Sequence, residues 1–590
     1  MLIYYLLFAF ICLLAIPLLA YKPTKTKKII YVCSVFFAFF LLCVFRYGIG
    51  NDYFTYYQIF HECADLKDFA AIQNSQYEIG FVILNKIISL FVNNIFSLYV
   101  VYAIIIFVPS AYVVCKYSKN PWISCMLYMC LTFLCNSMNF IRQTIAASII
   151  LLAYGFIMKR KTKEYDTDEN STFKSRFLYN LLHCHIPVLL ISVIAASFHY
   201  TAFIFIPLYL ISLIKPNAYI LGIYGCMNIC GFIGCTALMK NGKNPMDMLA
   251  KAATKLLNKN FESYIDTKYF KYGLSQSYLY MPFILIAFVL AAYFLGWQKE
   301  KESHILLNFM VLSTSFWLFS TKIFILERFS MFIFIFVILA VASIANHFLK
   351  SFAEISRCKK NEDKSDFQVM VKSKKQIYCC LLAFITIGSF VYHDYGMQKN
   401  FHGVYPYQCN IQSIEKARIS TISDQELYNE LTSKTSAYKF ALLLKESGFS
   451  FIMTSDAKGY ASMDSITKKA FEELGIDTSF ADENTVGYIG VYDGESFTDY
   501  QNSASVKIGK RTFNINCSEN STSAVENATG AQYALDRDGV HFIVLDKNGS
   551  RRIHAVCINF TSYKQRLTRL SSTTNTNASS IIKEINSKRK

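Results

Sequence analysis

Long apolar runs separated by short polar stretches dominate the first two thirds of the chain. They fall at about 2–20, 29–45, 95–115, 121–137, 139–158, 183–199, 201–214, 217–238, 277–297, 304–320, 323–348 and 376–394. Helices of this character cross the hydrocarbon core of a bilayer, so the pattern predicts about twelve spans. A further run at 79–94 is only half apolar, because it carries Asn85, Lys86, Asn93 and Asn94. It reads as a short re-entrant or interfacial helix, a form tolerated where protein or a wet cavity covers its polar groups. The first run has neither a basic start nor a clear small-residue cleavage site, and reads as a span rather than a signal peptide.

The pattern changes after residue 395. Residues 398–430 read as a linker between a membrane domain at 1–397 and a smaller domain at 431–570. In that domain short apolar runs alternate with Gly, Asn, Asp and Ser turns, a pattern for a small α/β or β-sandwich-like fold. Residues 571–590 are polar and low in complexity, and read as a disordered tail. The chain shows no internal repeat.

Composition agrees with the pattern. The 590 residues are 53% hydrophobic and 17% charged, against roughly 25% charged in soluble proteins. The mean hydropathy is +0.30. A disordered chain, a coiled coil and a simple soluble enzyme are excluded. The net charge of +18 is mostly topological. Its basic clusters are Lys22 to Lys28, Lys159 to Arg176 and Lys350 to Lys375, and short loops rich in Lys and Arg stay in the cytoplasm. With twelve crossings and 79–94 not counted, all three clusters fall on one side and both termini on the other. No basic soluble domain carries a nucleic-acid motif, so nucleic acid is not an expected partner. Most of the 18 cysteines sit inside apolar runs, where they act as small hydrophobes rather than as a metal or disulfide framework. Cys517 and Cys557 are left open as a pair.

Ionisable groups kept at the outward ends of spans are the candidates for chemistry, because their burial is costly. The segment Arg46-Tyr47-Gly48-Ile49-Gly50-Asn51-Asp52-Tyr53 places two glycines in a turn between a cation and a carboxylate; an interfacial turn with a Tyr belt accounts for it equally. Glu78, before the half-apolar run, is a candidate base or hydroxyl acceptor, or simply the anion that helix starts favour. Arg142 and Gln143 follow a short hairpin and enter a run of small residues, Ala146, Ala147 and Ser148. An arginine there needs a partner and can clamp phosphate bidentately. His199 at the next outer turn can exchange one proton near neutral pH, although a lone histidine at a turn is more often structural. Lys322, Glu327 and Arg328 open a later span. Glu327 and Arg328 are adjacent and do not face each other on a helix, so Glu327 is expected to pair elsewhere, with Arg142 as a candidate. Together these groups suit an anionic, phosphate-linked, sugar-bearing substrate. Metal-ligand spacing is absent, and no cofactor is expected.

The segments RYGIGNDYFTYY (46–57), YEIGF (77–81), NSMNFIRQTIAASI (136–149), ASFHYTAFIFIP (196–207), ERFSMF (327–332) and GVYPYQ (403–408), in this order, resemble the EpsG family of Wzy-like exopolysaccharide polymerases. The resemblance covers roughly residues 1–408 and allows a GT-C-like helix arrangement. It implies a multi-pass protein of the bacterial cytoplasmic membrane, acting at its outer face. It also implies polymerisation of undecaprenyl-diphosphate-linked oligosaccharide repeats into exopolysaccharide or capsule. Arg46, Asp52, Glu78, Arg142, Gln143, His199 and Arg328 fall on the family's polar motif positions. Arg142 and Arg328 are then expected to hold the lipid diphosphate, and His199 or Glu78 to deprotonate the acceptor hydroxyl. Arg46, Asp52 and Tyr53 would shape the substrate loop with Gln143 and Glu327. The implied partners are the lipid-linked donor, the growing polysaccharide, membrane lipid, and flippase and chain-length regulator proteins.

Residues 440–476 read as strand, turn and amphipathic helix, 487–496 as a strand with a turn at Asp493-Gly494, and 538–560 as a hairpin around Asn548-Gly549. This order is similar to the interleukin-like EMT inducer, or GG-type lectin, domain. That likeness implies an extracytoplasmic carbohydrate-binding module, with Asp456, Lys458 and Tyr460 as weak candidates for ligand contact. Two other functions fit the outer charges less well. A ligase using the same lipid-linked donor would transfer a finished chain. An exporter or flippase would need charges deep in several spans, and here the span interiors are nearly free of them.

Overall fold

The computed structural model describes residues 1–20, 23–66, 75–92, 94–161, 172–240, 251, 280–294, 296–300, 303–358, 364–399, 403–405, 407–433, 435–456, 463–482, 487–517, 522–530, 539–546, 552–560 and 566–569. The chain forms two compact units. One holds Met1–Val44 with Cys63–Tyr407, and the other holds Phe45–Glu62 with Gln408–Lys590.

The first unit is helical. Among the described residues six helices are long and apolar enough to cross a membrane: Leu2–Ala20, Lys25–Val44, Ile95–Tyr117, Phe173–Phe198, Ala218–Met239 and Ser303–Ser320. Two bent pairs, Pro121–Cys130 with Phe133–Asn139 and Ile325–Phe334 with Val337–Phe348, bring the number to at most eight. Among the described residues the helices thus account for six to eight of the twelve spans expected from the apolar runs. In the first pair the apolar run is continuous, but Thr132 takes a left-handed conformation at φ 69°, which breaks the helix and turns it by 47°. The run at 139–158 becomes the helices Ile141–Leu151 and Tyr154–Ile157, and the run at 376–394 lies within the helix Lys364–Gln398. The half-apolar run at 79–94 contains the 11-residue helix Ile79–Ser89, about 16 Å long and too short to span. Its Asn85 is buried, donating to Phe81 O at 2.8 Å and accepting from the Tyr102 hydroxyl.

The core of this unit is aromatic. Phe36, Phe39, Phe107 and Tyr128 join three helices, with the Phe36 and Tyr128 rings 5.1 Å apart. The small residues after Arg142 let Ile141–Leu151 lie against Ile95–Tyr117, so that Ser110 Oγ reaches Ser148 Oγ at 3.4 Å. Close backbone approach of this kind is how helices associate when burial of apolar surface supplies no driving force between them. Large apolar side chains such as Leu190, Ile194, Ile223 and Met227 point outward, as a lipid-facing surface requires.

The second unit is a layered α/β domain. Its nine strands are β1 (Ser450–Asp456), β2 (Tyr488–Tyr492), β3 (Phe497–Gln501), β4 (Ser503–Ile508), β5 (Arg511–Cys517), β6 (Thr522–Glu526), β7 (Gly539–Leu545), β8 (Arg552–Asn559) and β9 (Arg566–Arg569). They form a six-stranded sheet in the order β3-β2-β1-β7-β8-β9 and a three-stranded sheet β4-β5-β6, both antiparallel. Ile452, Ile489, Val491, Ile543 and Leu545 of the larger sheet pack on Val506, Ile508, Phe513, Ile515 and Ala524 of the smaller. The other face of the larger sheet is covered by the helices Ala437–Ser447 and Ser465–Glu472, through Phe440 and Phe471 on Phe542. The segment 440–476, expected as strand, turn and helix, holds β1 and the helix Ser465–Glu472 but opens within the additional helix Ala437–Ser447. The Ser436 hydroxyl caps the start by accepting from Lys439 N, and Gly448 ends it in a left-handed conformation. An apolar run buried on both sides does not announce its period, and here the caps decide it. Cys517 and Cys557 are free thiols. The turn at Asp493-Gly494 forms as expected, with Asp493 Oδ1 accepting from two backbone N–H groups at 2.8 Å.

Residues 398–430 are more than a linker. They include the helices Gln412–Thr421 and Asp424–Thr432. A charged network ties these to the next helix, with Arg418 bridging Glu415 and Glu430, and Lys439 reaching Glu430 at 2.8 Å.

The segment following the second span is folded into this same domain. Tyr47 N donates to Gln408 O and Asn410 N to Phe45 O, at 2.9 and 2.8 Å. The Tyr47 ring is fully buried, 4.9 Å from the ring of Tyr438. Its hydroxyl donates to Asp464 Oδ2 at 2.7 Å, and Asp464 in turn caps the helix Ser465–Glu472. Gly48 and Gly50 both have positive φ, so the turn expected between them is one that glycine makes without strain. Replacing Tyr47 by Phe removes a buried hydrogen bond to a carboxylate, which costs about 2 kcal/mol, and leaves Asp464 Oδ2 with the Thr467 hydroxyl. Limited proteolysis of the purified Tyr47→Phe protein is expected to nick the region 408–570 faster than wild type, with the membrane helices unaffected.

Candidate active site

Glu78, Arg142 and His199 come from three separate segments and meet. Glu78 occupies the N-cap position of Ile79–Ser89 with extended backbone, yet its carboxylate caps no N–H of that helix. Arg142 lies in the first turn of Ile141–Leu151. A cation there opposes the helix dipole and needs compensation. His199 ends the helix Ile186–Phe198 in extended conformation and begins the short helix Tyr200–Ile204.

Arg142 Nη1 donates to Glu78 Oε2 at 2.6 Å, and His199 Nδ1 lies 2.9 Å from Glu78 Oε1. Tyr200 N also approaches Oε1, at 3.4 Å. Glu78 is 5% exposed. Burial pushes its carboxyl up, but the hydrogen bond from His199 and the Arg142 guanidinium outweigh this and hold it down at about 2. Burial pushes the His199 imidazole down; Glu78 opposes that, while Arg142 and Arg328 add to it. The state at neutral pH is therefore an ionised Glu78 balanced by Arg142 on one oxygen, with a neutral His199 imidazole on the other. An ionised carboxylate only accepts, so Nδ1 carries the hydrogen and Nε2 carries the lone pair. A carboxylate that orients a histidine and leaves its far nitrogen basic is the arrangement of acyl-transfer triads, with a different nucleophile.

The remaining groups are arranged around this pair. The Arg142 guanidinium lies 5.5 Å from the centre of the Tyr77 ring, and that of Arg328 4.9 Å from the Phe140 ring. Gln143, expected to contact substrate, donates to the backbone carbonyl of Arg328 and so fixes Ile325–Phe334 against Ile141–Leu151. Glu327 was the expected partner of Arg142; the structure corrects this, because Glu78 takes that place. Lys322 lies over the Phe232 ring at 4.8 Å. Arg46, Asp52 and Tyr53 belong to the second unit. There the Arg46 side chain is buried over the Tyr53 ring, and Asp52 precedes the helix Tyr53–Asp65. Asp456 ends β1, and Lys458 and Tyr460 lie outside the described residues. Among the described residues no group of three or more His, Cys, Asp or Glu side chains is placed to hold a metal ion.

One residue that composition alone did not single out is Gly80. A Cβ there would lie 2.3 Å from Ser197 Oγ and 2.8 Å from Ser197 O. Glycine lets Ile79–Ser89 approach the end of Ile186–Phe198 closely enough for Glu78 to reach His199. The only sequence signal was its place in YEIGF.

Fold and site together define a polytopic membrane protein with a buried cluster of Glu78, Arg142 and His199 at the ends of its helices. The model of the EpsG family matches residues 28–166 and 176–358, more than half of the chain, and the chain belongs to the EpsG family. That family is associated with Wzy-like polysaccharide polymerisation. No curated protein and no solved structure matches the chain.

Gly80→Ala is expected to lower the thermal midpoint, at a cost of about 1–3 kcal/mol, and Gly80→Val to do so more severely. Because burial depresses its folded pKa, the His199 imidazole should stay neutral below the ordinary histidine pKa of about 6.5 and take up its proton only at lower pH, which an NMR titration of the purified protein measures.

Proposed function

We propose that this chain joins lipid-diphosphate-linked oligosaccharide repeats into exopolysaccharide at the outer face of the cytoplasmic membrane. The observation that carries this reading is the Arg142–Glu78–His199 arrangement in a member of a polysaccharide-polymerase family. Both Glu78 oxygens are engaged, which favours His199 over Glu78 as the base. The acceptor hydroxyl gives its proton to Nε2 and its oxygen bonds to the anomeric carbon of the donor. The bond from that carbon to the phosphate oxygen breaks, and lipid diphosphate leaves with the electron pair. A guanidinium presents five N–H donors, so Arg142 can hold Glu78 and still face the diphosphate, with Arg328 beside it. Fixed cations of this kind stabilise charge that develops on a leaving group.

Charge and folding support one orientation in this reading. The cluster Lys22 to Lys28 places the first connecting loop in the cytoplasm, so Val44 ends the second span outside. Residues 45–62 and 408–590 fold as one unit, and an even number of crossings separates them. The C-terminal domain is then extracytoplasmic too. Its role in this reading is to bind carbohydrate weakly and keep growing polymer near the site, an effective-concentration effect. Flippase and chain-length regulator proteins are the partners this reading calls for.

In proteoliposomes supplied with the lipid-linked repeat unit, wild type is expected to form polymer and His199→Ala to lose about 10²–10⁴-fold in rate. Arg142→Ala should lose polymer as well and raise the donor KM. Single repeat units transferred without chain growth would favour a ligase instead. Cysteines placed at positions 52, 142 and 199 should react with impermeant reagents from outside; labelling from the cytosol alone would overturn the orientation.

A further inference from the structure

The polar side chains that flank the centre are of two kinds. Most find a partner within the fold. Ser137 Oγ donates to Leu134 O at 2.6 Å, Thr144 Oγ1 to Phe140 O at 2.9 Å, and Gln143 to Arg328 O. Three polar atoms in the same stretches do not. Asn136 Oδ1, Asn139 Oδ1 and Thr201 Oγ1 are buried and make no hydrogen bond among the described residues. The two asparagines are 7% and 1% exposed.

An unmet polar group costs several kcal/mol where no water is at hand, so each of the three calls for a reason. Their positions supply one. Asn136 and Asn139 are three residues apart on the helix Phe133–Asn139, hence on one face, with Cβ atoms about 5–6 Å apart. That helix leads directly into Phe140, against which Arg328 lies, and Arg142, which holds Glu78. Thr201 follows His199 by two residues in the turn Tyr200–Ile204. An amide oxygen needs a hydrogen donor, and a hydroxyl can serve as donor or acceptor. A ligand bearing several hydroxyls on a rigid ring meets these needs, and a lipid chain or a bare phosphate does not.

We infer that Asn136, Asn139 and Thr201 form the subsite that grips the hydroxyls of the acceptor sugar beside His199. The inference rests on the polymerase reading and deepens it: it assigns acceptor recognition to this turn and separates it from the diphosphate held by the arginines. The subsite aligns one acceptor hydroxyl with Nε2 and excludes acceptors that lack its neighbours. Discrimination of this type is strong, because a missing hydroxyl leaves the site's own polar groups unpaired.

The test uses the full-length protein in proteoliposomes. The donor is the repeat-unit glycolipid that accumulates in cells lacking this chain, and the acceptors are the same glycolipid and its single-deoxy analogues. Asn139→Leu is nearly isosteric and removes an orphaned polar atom, so it should raise the thermal midpoint. The same variant should raise the acceptor KM about tenfold while leaving the donor KM unchanged. One deoxy analogue should lose as much with wild type, and Asn139→Leu should lose nothing more with that analogue. Asn136→Leu and Thr201→Val should behave alike with other analogues. A folded Asn139→Leu protein with an unchanged acceptor KM would overturn the inference while wild-type polymer formation leaves the polymerase reading standing; the buried atoms would then hold only structural water. No polymer from wild type would remove the polymerase reading, and this one with it.

Discussion

The site depends on one carboxylate shared by two partners. Glu78 neutralises Arg142, a cation set against the dipole of its own helix, and fixes the tautomer of His199. Without it the arginine charge is uncompensated in a nearly buried place, and the histidine loses its orientation. Each of the three side chains stands at a helix end, where the backbone reverses and side chains from different helices can converge. The close approach at Gly80 sets the distance over which they meet.

Much of this was legible from local chemistry. Charges at the ends of apolar runs are costly and few, so Glu78, Arg142, His199 and Arg328 stood out. Their pairing did not, because sequence order says nothing about which helix ends touch. The sequence offers Arg142 a partner in Glu327, a carboxylate adjacent to another arginine, whereas the fold gives it Glu78, 64 positions away in the chain. The hydrogen bond by which Gln143 joins two helices through Arg328 O has no signal in the sequence either. Bends within spans are hidden for a related reason. Hydropathy registers apolar content, and a run broken by one left-handed residue such as Thr132 looks continuous.

The C-terminal domain illustrates the same limit. Its alternating strands and turns were readable, and two antiparallel sheets result. The helix at 437–447 is hidden because the apolar residues Phe440 to Leu444 run without a break. The membership of residues 45–62 in this domain had no local signal at all, since Tyr47 and Asp464 are 417 positions apart. That join gives the domain a structural meaning beyond an appended module: the loop after the second span completes its fold, and the two regions must share one side of the membrane.

The central claim is that Glu78 acts through His199, and a double-mutant cycle on polymer formation tests it most directly. If the carboxylate serves to orient the imidazole, Glu78→Gln combined with His199→Ala should be no slower than His199→Ala alone. Losses that multiply, with each substitution slowing the reaction by its full factor in the presence of the other, would show two independent groups and contradict the account.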